Sequence, residues 1–372
     1  MSDLAGASML DKVSPALPVE WYFDPKIYAL EIELLFKNGP GYVGHELMVP
    51  QVGDYHVLDW LHGGGRMLLR NAEGVQLMSN VCRHRQALML KGRGSLATNA
   101  NAIVCPFHRW TYDLDGRLLG APHFPSNPCL NLDRQPLQQW HGLLFAGRRD
   151  VARDLDGMSA ASELDFSGYV YDKTVVTHYD FNWKTFIEVY LEDYHVVPYH
   201  PGLGHFVDCD QLKWEYGEWY SVQTVGVNSA LASPGSEVYR RWHEQVLRYR
   251  AGRPPEHGAI WLTYYPNVMV EWYPHTLVVS HIVPTGVESC LNVVEFYYPE
   301  DIALFEPEYK EAEQAAYRET ALEDDDICYG MHRGRKALLA QGLNQTGPYQ
   351  SPMEDGMLHF HEWLRRQLEP HL

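Results

Sequence analysis

Two hydrophobic rhythms divide the chain. In the first half the apolar runs are short. Val75 to Met78 reads as a strand, and Trp110 to Leu118 reads as a strand, a turn at Asp115-Gly116 and a return strand. Past residue 180 a longer period takes over. Apolar residues at 183, 186, 187, 190, 191 and 194 keep helical spacing and predict a helix from Trp183 to His195, with Pro198 and Pro201 breaking regular helix beyond it. Residues 260–299 alternate apolar and polar positions, with breaks at Pro266-Asn267, Pro274 and Pro284-Thr285-Gly286, and predict an antiparallel sheet. Residues 306–323 form an acidic amphipathic helix and 353–368 a terminal one. The charged segment Ser233–Pro255, bounded by Pro and Gly, is placed over or beside an entrance to the interior. The expected fold is α+β in two domains: an antiparallel β domain over 41–150, and a domain of helices around an antiparallel sheet over 151–372. A helical segment over 1–40 packs on the second.

Length agrees with two domains, since 372 residues suffice for two independent cores. Lys and Arg number 30 against 48 Asp and Glu, a formal charge of −18. So acidic a surface repels phosphate, and neither nucleic acid nor an anionic membrane is an expected partner. No apolar run approaches the ~20 residues that span a bilayer. The N-terminal stretch has no basic-then-apolar leader pattern, so the expected location is cytoplasmic.

The six cysteines make no disulfide framework in a chain this long, but two of them stand in a pattern. Cys82-Arg83-His84 is followed after 20 residues by Cys105-Pro106-Phe107-His108. Each half offers one thiolate and one imidazole from a short loop. Structural zinc is one reading, although zinc-finger spacing puts both cysteines before both histidines. The alternating order suits a [2Fe–2S] cluster with two cysteines on one iron and two histidines on the other.

Residues 79–120, with CRHR and CPFHRWTYDLDGRL, resemble the Rieske domain of ring-hydroxylating oxygenase large subunits. By that resemblance Cys82, His84, Cys105 and His108 hold the Rieske cluster. Neither loop carries the extra cysteine that cross-links the loops of respiratory Rieske proteins. One departure is Arg109, where the family usually has glycine.

The second chemical group lies in Asn182–Pro201. An undistorted helix would set His195 and His200 about 140° apart, and the prolines free His200 to reach the same metal. Two histidines and one carboxylate make the facial triad of a mononuclear Fe(II) oxygenase, which leaves positions open for O₂. The family shows an acidic residue, then x-x-His-x₄-His here, and Glu192, His195 and His200 fit that order. The resemblance, nearest to the choline and carnitine oxygenases in this motif, implies that His195 and His200 bind iron. It also implies that Glu192 bridges His195 to a Rieske histidine, His108. Asp193 competes for the bridge. The third ligand aligns on Asp324 within Ala321–Gly334, with Asp325 and Asp326 as alternatives to it. Otherwise the acidic run is a solvated helix start. His332 replaces the family's usual Gln near this site. A di-iron bundle would need two Glu-x-x-His motifs, and only His195 among the 19 histidines has a glutamate three residues before it.

Other signals are weaker. Gly92-x-Gly-x-x-Ala97 lacks a following helix and reads as a turn, not a dinucleotide site. Trp261, Tyr264, Tyr265, Trp272 and Tyr273 form either a cage for a quaternary ammonium or the buried face of a sheet. His359 and His361 are expected to be structural. The resemblance covers nearly the whole chain. It implies the oxygenase component of a multi-component monooxygenase or dioxygenase, with a Rieske cluster and mononuclear Fe(II). A separate NAD(P)H-dependent reductase, with or without a ferredoxin, would supply electrons, because the chain has no nicotinamide or flavin fold. A homotrimer would use O₂ to hydroxylate or demethylate a small organic substrate, a quaternary amine or an aromatic acid. A Rieske-type electron-transfer protein without catalytic iron is the alternative.

Overall fold

The computed structural model describes residues 16–372. The first part of the segment expected over 1–40, including the stretch without a leader pattern, therefore lies outside the described residues. No helix among the described residues is long and apolar enough to cross a membrane. Contacts divide the chain into two compact units, Asn38–Arg153 and a second made of the chain to Lys37 together with Asp154–Leu372.

Three small antiparallel sheets build the unit 38–153. The largest has the order Arg93–Ser95, Asp54–Val57, Arg66–Asn71, Gly74–Ser79, Arg134–Gln135. A second joins Ile103–Val104, Thr111–Tyr112 and Leu118–Gly120, with Gly116 at φ +76° in the turn before the last strand. The core is formed by Met67, Leu69, Met78, Ile103, Trp110 and Tyr112 beside Cys82 and Cys105. The stretch 92–97 supplies an edge strand followed by a 3₁₀ turn, with no helix behind it.

The larger unit is built on a seven-stranded antiparallel sheet. Its strands are β1 (Tyr169–Tyr179), β2 (Val207–Tyr216), β3 (Tyr220–Val227), β4 (Ala259–Tyr264), β5 (Val268–Tyr273), β6 (Thr276–Gly286) and β7 (Ser289–Pro299), in the order β1-β7-β6-β5-β4-β3-β2. Around it stand α1 (Trp183–Tyr190), the short α2 (Val196–Tyr199), α3 (Glu237–Tyr249), α4 (Pro307–Ala340) and α5 (Asp355–Leu368). Strands β4 to β7 are almost wholly buried, so their apolar content is nearly continuous.

Two helices depart from the sequence-based expectation. The helix expected to reach His195 stops at Tyr190, where Leu191 takes a non-helical cap conformation (φ −96°, ψ 24°), and Tyr194 is 57% exposed. The apolar residues at 191 and 194 imitate a helical face without forming one. The helix expected over 306–323 runs on to Ala340, so the acids at 324–326 sit in mid-helix rather than at a solvated start. No proline interrupts it, and Gly330 and Gly334 have open space around them.

A buried ionic network ties this unit together. Glu188 on α1 accepts from Arg335 Nη2 of α4 (2.5 Å), from His361 Nε2 of α5 (2.8 Å) and from the Tyr22 hydroxyl. Tyr349 O–H donates to His361 Nδ1 at 2.6 Å, which leaves the proton on Nε2 to face Glu188. Beside it Lys184 pairs with Glu31 at 2.5 Å, and Trp183 Nε1–H donates to the same carboxylate.

Candidate metal centres and substrate cavity

The two cysteine-histidine loops have the same backbone design. In the first, Cys82 N–H bonds Ala87 O at 2.9 Å and Gln86 N–H bonds Cys82 O at 3.1 Å. In the second, Cys105 N–H bonds Trp110 O at 2.8 Å and Arg109 N–H bonds Cys105 O at 3.1 Å. Gln86 and Arg109 occupy equivalent places, and both have positive φ, 55° and 60°. Position 109 thus requires a left-handed backbone, the conformation glycine adopts freely and Arg109 adopts at a cost.

The donors form two pairs. Cys82 and Cys105 are both buried, and Tyr112 O–H lies 3.5 Å from Cys82 Sγ. The His84 and His108 rings lie 4.6 Å apart. His84 stacks on Trp110 at 4.9 Å, and its Nδ1 is buried with no hydrogen-bond partner. His108 is exposed beside the exposed Phe107. Ligands around one tetrahedral zinc lie ~3–4 Å apart. Among the described residues, however, the only three donors within 4.8 Å of one another are those of the second centre. Paired donors with an orphaned ring nitrogen fit a two-iron cluster, not a single ion.

That second centre is His195, His200 and Asp324. The short helix α2 spans only the residues between the two histidines, so they flank it as caps. Gly235 lies against the next turn: a Cβ there would come within 1.6 Å of Pro201 O. Asp324 Oδ1 lies 3.3 Å from His195 Nε2 and 3.0 Å from His200 Nε2. It nevertheless makes no angled hydrogen bond with either, so the three donors aim at a shared centre rather than at one another. Burial alone would raise the Asp324 carboxyl, but the two imidazoles hold it below its usual range, which keeps it an anionic donor.

Each imidazole is oriented from behind by a carboxylate. Glu192 Oε1 lies 2.5 Å from His195 Nδ1, and its other oxygen accepts from His195 N–H at 3.1 Å. Glu323 Oε2 lies 2.7 Å from His200 Nδ1. Carboxylate–imidazole pairs of this kind fix the ring and leave Nε2 for a metal. Glu323 lies inside the segment Ala321–Gly334 but is given no role by the sequence. Its one signal is its place immediately before Asp324, which lets it reach the second histidine.

The remaining candidates lie elsewhere. Asp193, the competitor for the bridge, is buried, with its N–H on Met353 O. Asp325 is half-buried near Tyr179, and Asp326 is exposed. His332, two helical turns past Asp324, pairs with Glu288 at 3.1 Å and packs on Phe23. It is therefore not in the site. His359 meets Tyr265 O–H at 2.9 Å. The aromatic cage does not assemble, because residues of opposite strand parity point to opposite faces. Trp261 Nε1–H donates to the Tyr273 hydroxyl at 3.0 Å on the face covered by α4. Tyr264 instead reaches Asp154, and Tyr265 reaches Ser221.

A cavity of about 70 Å³ opens beside Asp324. Phe186, Tyr190, Phe206, Tyr239, Trp242 and Tyr273 supply aromatic walls, and Glu271 and Glu313 supply carboxylates. Tyr239 and Trp242 come from α3, the helix formed by the charged segment after Ser233. A larger recess of about 430 Å³ near strand β1 shares Asn292, Tyr317 and Ala321 with the cavity.

Two family descriptions match this chain. Residues 166–370 match the ring hydroxylating alpha subunit (catalytic domain), and residues 44–138 match the Rieske [2Fe-2S] domain. The chain belongs to the Rieske non-haem iron oxygenases. A Rieske cluster and a mononuclear iron are its cofactors, and it is an oxidoreductase. This oxygenase is 62% identical over 369 residues to putrescine 2-hydroxylase of Ralstonia nicotianae, covering 99% of this chain and 100% of that one. It is 28% identical to the chloroplastic choline monooxygenase of Beta vulgaris, covering 97% and 81% of the two chains. A solved quaternary ammonium Rieske monooxygenase, described with carnitine oxidation and inter-subunit electron transfer, shares the fold. Its TM-score is 0.75 at 21% identity, over 95% of this chain and 96% of that one.

Proposed function

We propose that this oxygenase hydroxylates a small aliphatic diamine of the putrescine type, with Cys82, His84, Cys105 and His108 holding the cluster and His195, His200 and Asp324 holding the iron. The observation that carries this reading is the cavity. It touches Asp324, is walled by aromatic rings and contains two carboxylates, so it favours a slender cation. A relative named for putrescine hydroxylation, at 62% identity, points the same way. The two carboxylates oppose an aromatic acid, whose anionic group they would repel. A pure electron carrier would have no use for the His195, His200 and Asp324 constellation.

When bound, the cluster supplies electrons singly and the iron activates O₂. In net terms one oxygen atom enters a C–H bond and the other leaves as water, with two electrons from the reductase and two protons. The chain's own residues position the reaction. Glu192 and Glu323 lock the two imidazoles, and the aromatic walls exclude water from the carbon to be oxidised. Glu192, which holds His195 in this chain, would join it to His108 of a neighbouring copy in a closed trimer, the relay the family resemblance implies. A separate reductase, directly or through a ferredoxin, loads the cluster.

Anaerobically purified protein tests the reading. About three irons per chain, a Rieske EPR signal after dithionite, and diamine-dependent O₂ uptake with a reductase are expected. Two irons and no O₂ uptake, even after Fe(II) reconstitution, would instead establish an electron carrier.

A further inference from the structure

The cavity has an internal order set by α4. Glu313, Ala316, Tyr317, Thr320, Ala321 and Asp324 all line it, and their spacing of three and four places them along one stripe of the helix. From Asp324 to Glu313 is 11 residues, about 16 Å of helical rise and about 20° of rotation. Alanine and threonine on the middle of this stripe leave the space between the ends.

Two carboxylates mark positions along that space. Glu271, on β5, is 1% exposed and accepts from Tyr273 O–H (2.9 Å), Ser280 O–H (3.0 Å) and Tyr317 O–H (3.1 Å). Tyr317 stands between Glu313 and Asp324 on the stripe, so Glu271 is the inner carboxylate. Glu313 is 3% exposed and accepts from Tyr298 O–H at 2.5 Å. A carboxylate has about four acceptor sites, so Glu313 keeps most of its capacity. Among the described residues, both are held by hydroxyls and neither forms an ion pair. Lys173 acts on Glu313 electrostatically, from a distance. A buried carboxylate without a cation is costly, and fold stability does not call for two in one cavity.

We propose that Glu271 and Glu313 are the two ammonium-recognition groups of the substrate channel, so that the oxygenase measures the length of a linear diamine along α4. The nitrogens of a four-carbon diamine lie ~6 Å apart when extended. With an ammonium hydrogen-bonded to each carboxylate, the carbon chain lies in the aromatic section of the cavity, on the same helical stripe as Asp324. Burial pushes the two carboxyls upward, Glu271 to about 7 and Glu313 to about 8. Arrival of the dication then favours their charged forms. A monoamine of equal length leaves one buried carboxylate without a partner and is rejected.

This inference rests on the diamine reading above, and the test separates the two. Steady-state O₂ uptake and product formation are measured on holoenzyme with reductase, using 1,3-diaminopropane, 1,4-diaminobutane, 1,5-diaminopentane and butylamine. Iron content and the cluster EPR signal establish that each variant is intact. Wild type is expected to prefer one diamine over butylamine by at least about 100-fold in kcat/KM. Glu271→Gln and Glu313→Gln should each lose about 30-fold or more in kcat/KM on the diamine and narrow its preference over butylamine, which engages only one carboxylate. Glu313→Asp withdraws the outer carboxylate by one methylene and should move the optimum to the diamine one carbon longer. A merely structural glutamate would not produce that shift. Variants that keep wild-type diamine selectivity and an unchanged length optimum would overturn the assignment while leaving the diamine reading in place. No turnover of any diamine by wild type would overturn both.

Discussion

The network around Glu188 makes a quantitative prediction. Its carboxylate is fully buried. Burial alone would raise its pKa, but Arg335, with His361 and Tyr22, overrides this and lowers it from 4.5 to about 2. Each tenfold in binding is about 1.4 kcal/mol, so this lowering corresponds to roughly 3 kcal/mol of stability at pH 7. Removing one partner of a buried pair costs about 3–5 kcal/mol in general, which agrees. Glu188→Gln should therefore destabilise the larger unit by about 3 kcal/mol, lowering its Tm by roughly 6–12 °C. The folded pKa is depressed, so the stabilisation is present above about pH 4.5 and fades as pH falls toward 2. The gap between wild type and Glu188→Gln should close over that interval. Urea unfolding followed by tryptophan fluorescence reads the transition, since Trp183 adjoins the network. A cycle with Arg335→Met isolates the pair: the double variant should be about 2 kcal/mol more stable than the sum of the singles predicts. Additive singles, or a pH-independent gap, would refute the reasoning.

Three further outcomes follow from the metal centres. Glu323→Ala frees His200 Nδ1 and should weaken iron binding at the three-ligand centre about 10–100-fold while the cluster signal persists, as read by Fe(II) titration of apoprotein. Glu192→Gln should leave both centres loaded while turnover falls at least about 10-fold; normal turnover would remove Glu192 from the relay. Arg109→Gly relieves a left-handed residue and should raise the stability of the unit 38–153 by about 1 kcal/mol with an unchanged Rieske spectrum, and loss of the cluster would contradict the loop account.

Much of the fold and of the two candidate centres is legible in the amino-acid sequence. The sheet over 260–299 shows itself through alternation and turn residues, and the strand-turn-strand after Trp110 through Asp115-Gly116. The donor residues stand out because Cys and His at short fixed spacings are chemically unusual. What the sequence hides is decided by tertiary context. Leu191 and Tyr194 fall in helical phase, yet the chain leaves the helix so that Glu192 can reach both the ring and the backbone N–H of His195. The cavity carboxylates are hidden because hydropathy reads Glu271 and Glu313 as breaks in the pattern. In the fold they are inward positions of a buried strand and a covered helix. A lone glutamate in the otherwise apolar run VMVEWY is the available signal. Glu323 is masked by neighbours of the same charge.

The long helix has a consequence for how this chain can change. Glu313, Asp324 and Arg335 recur every eleven residues along α4, each advancing about 16 Å with only about 20° of drift. One unbroken rod thus sets the phase of the proposed outer carboxylate, the proposed metal donor and the cation that anchors the framework. Inserting one residue between any two of them would swing the later one by about 100°, so lengthening there fails where point substitutions on the outer face succeed. Deletions and insertions should be tolerated in the connection between α4 and α5, where residues 341–348 are exposed. A descendant with a longer substrate should keep the rod's length and change the side chains along it.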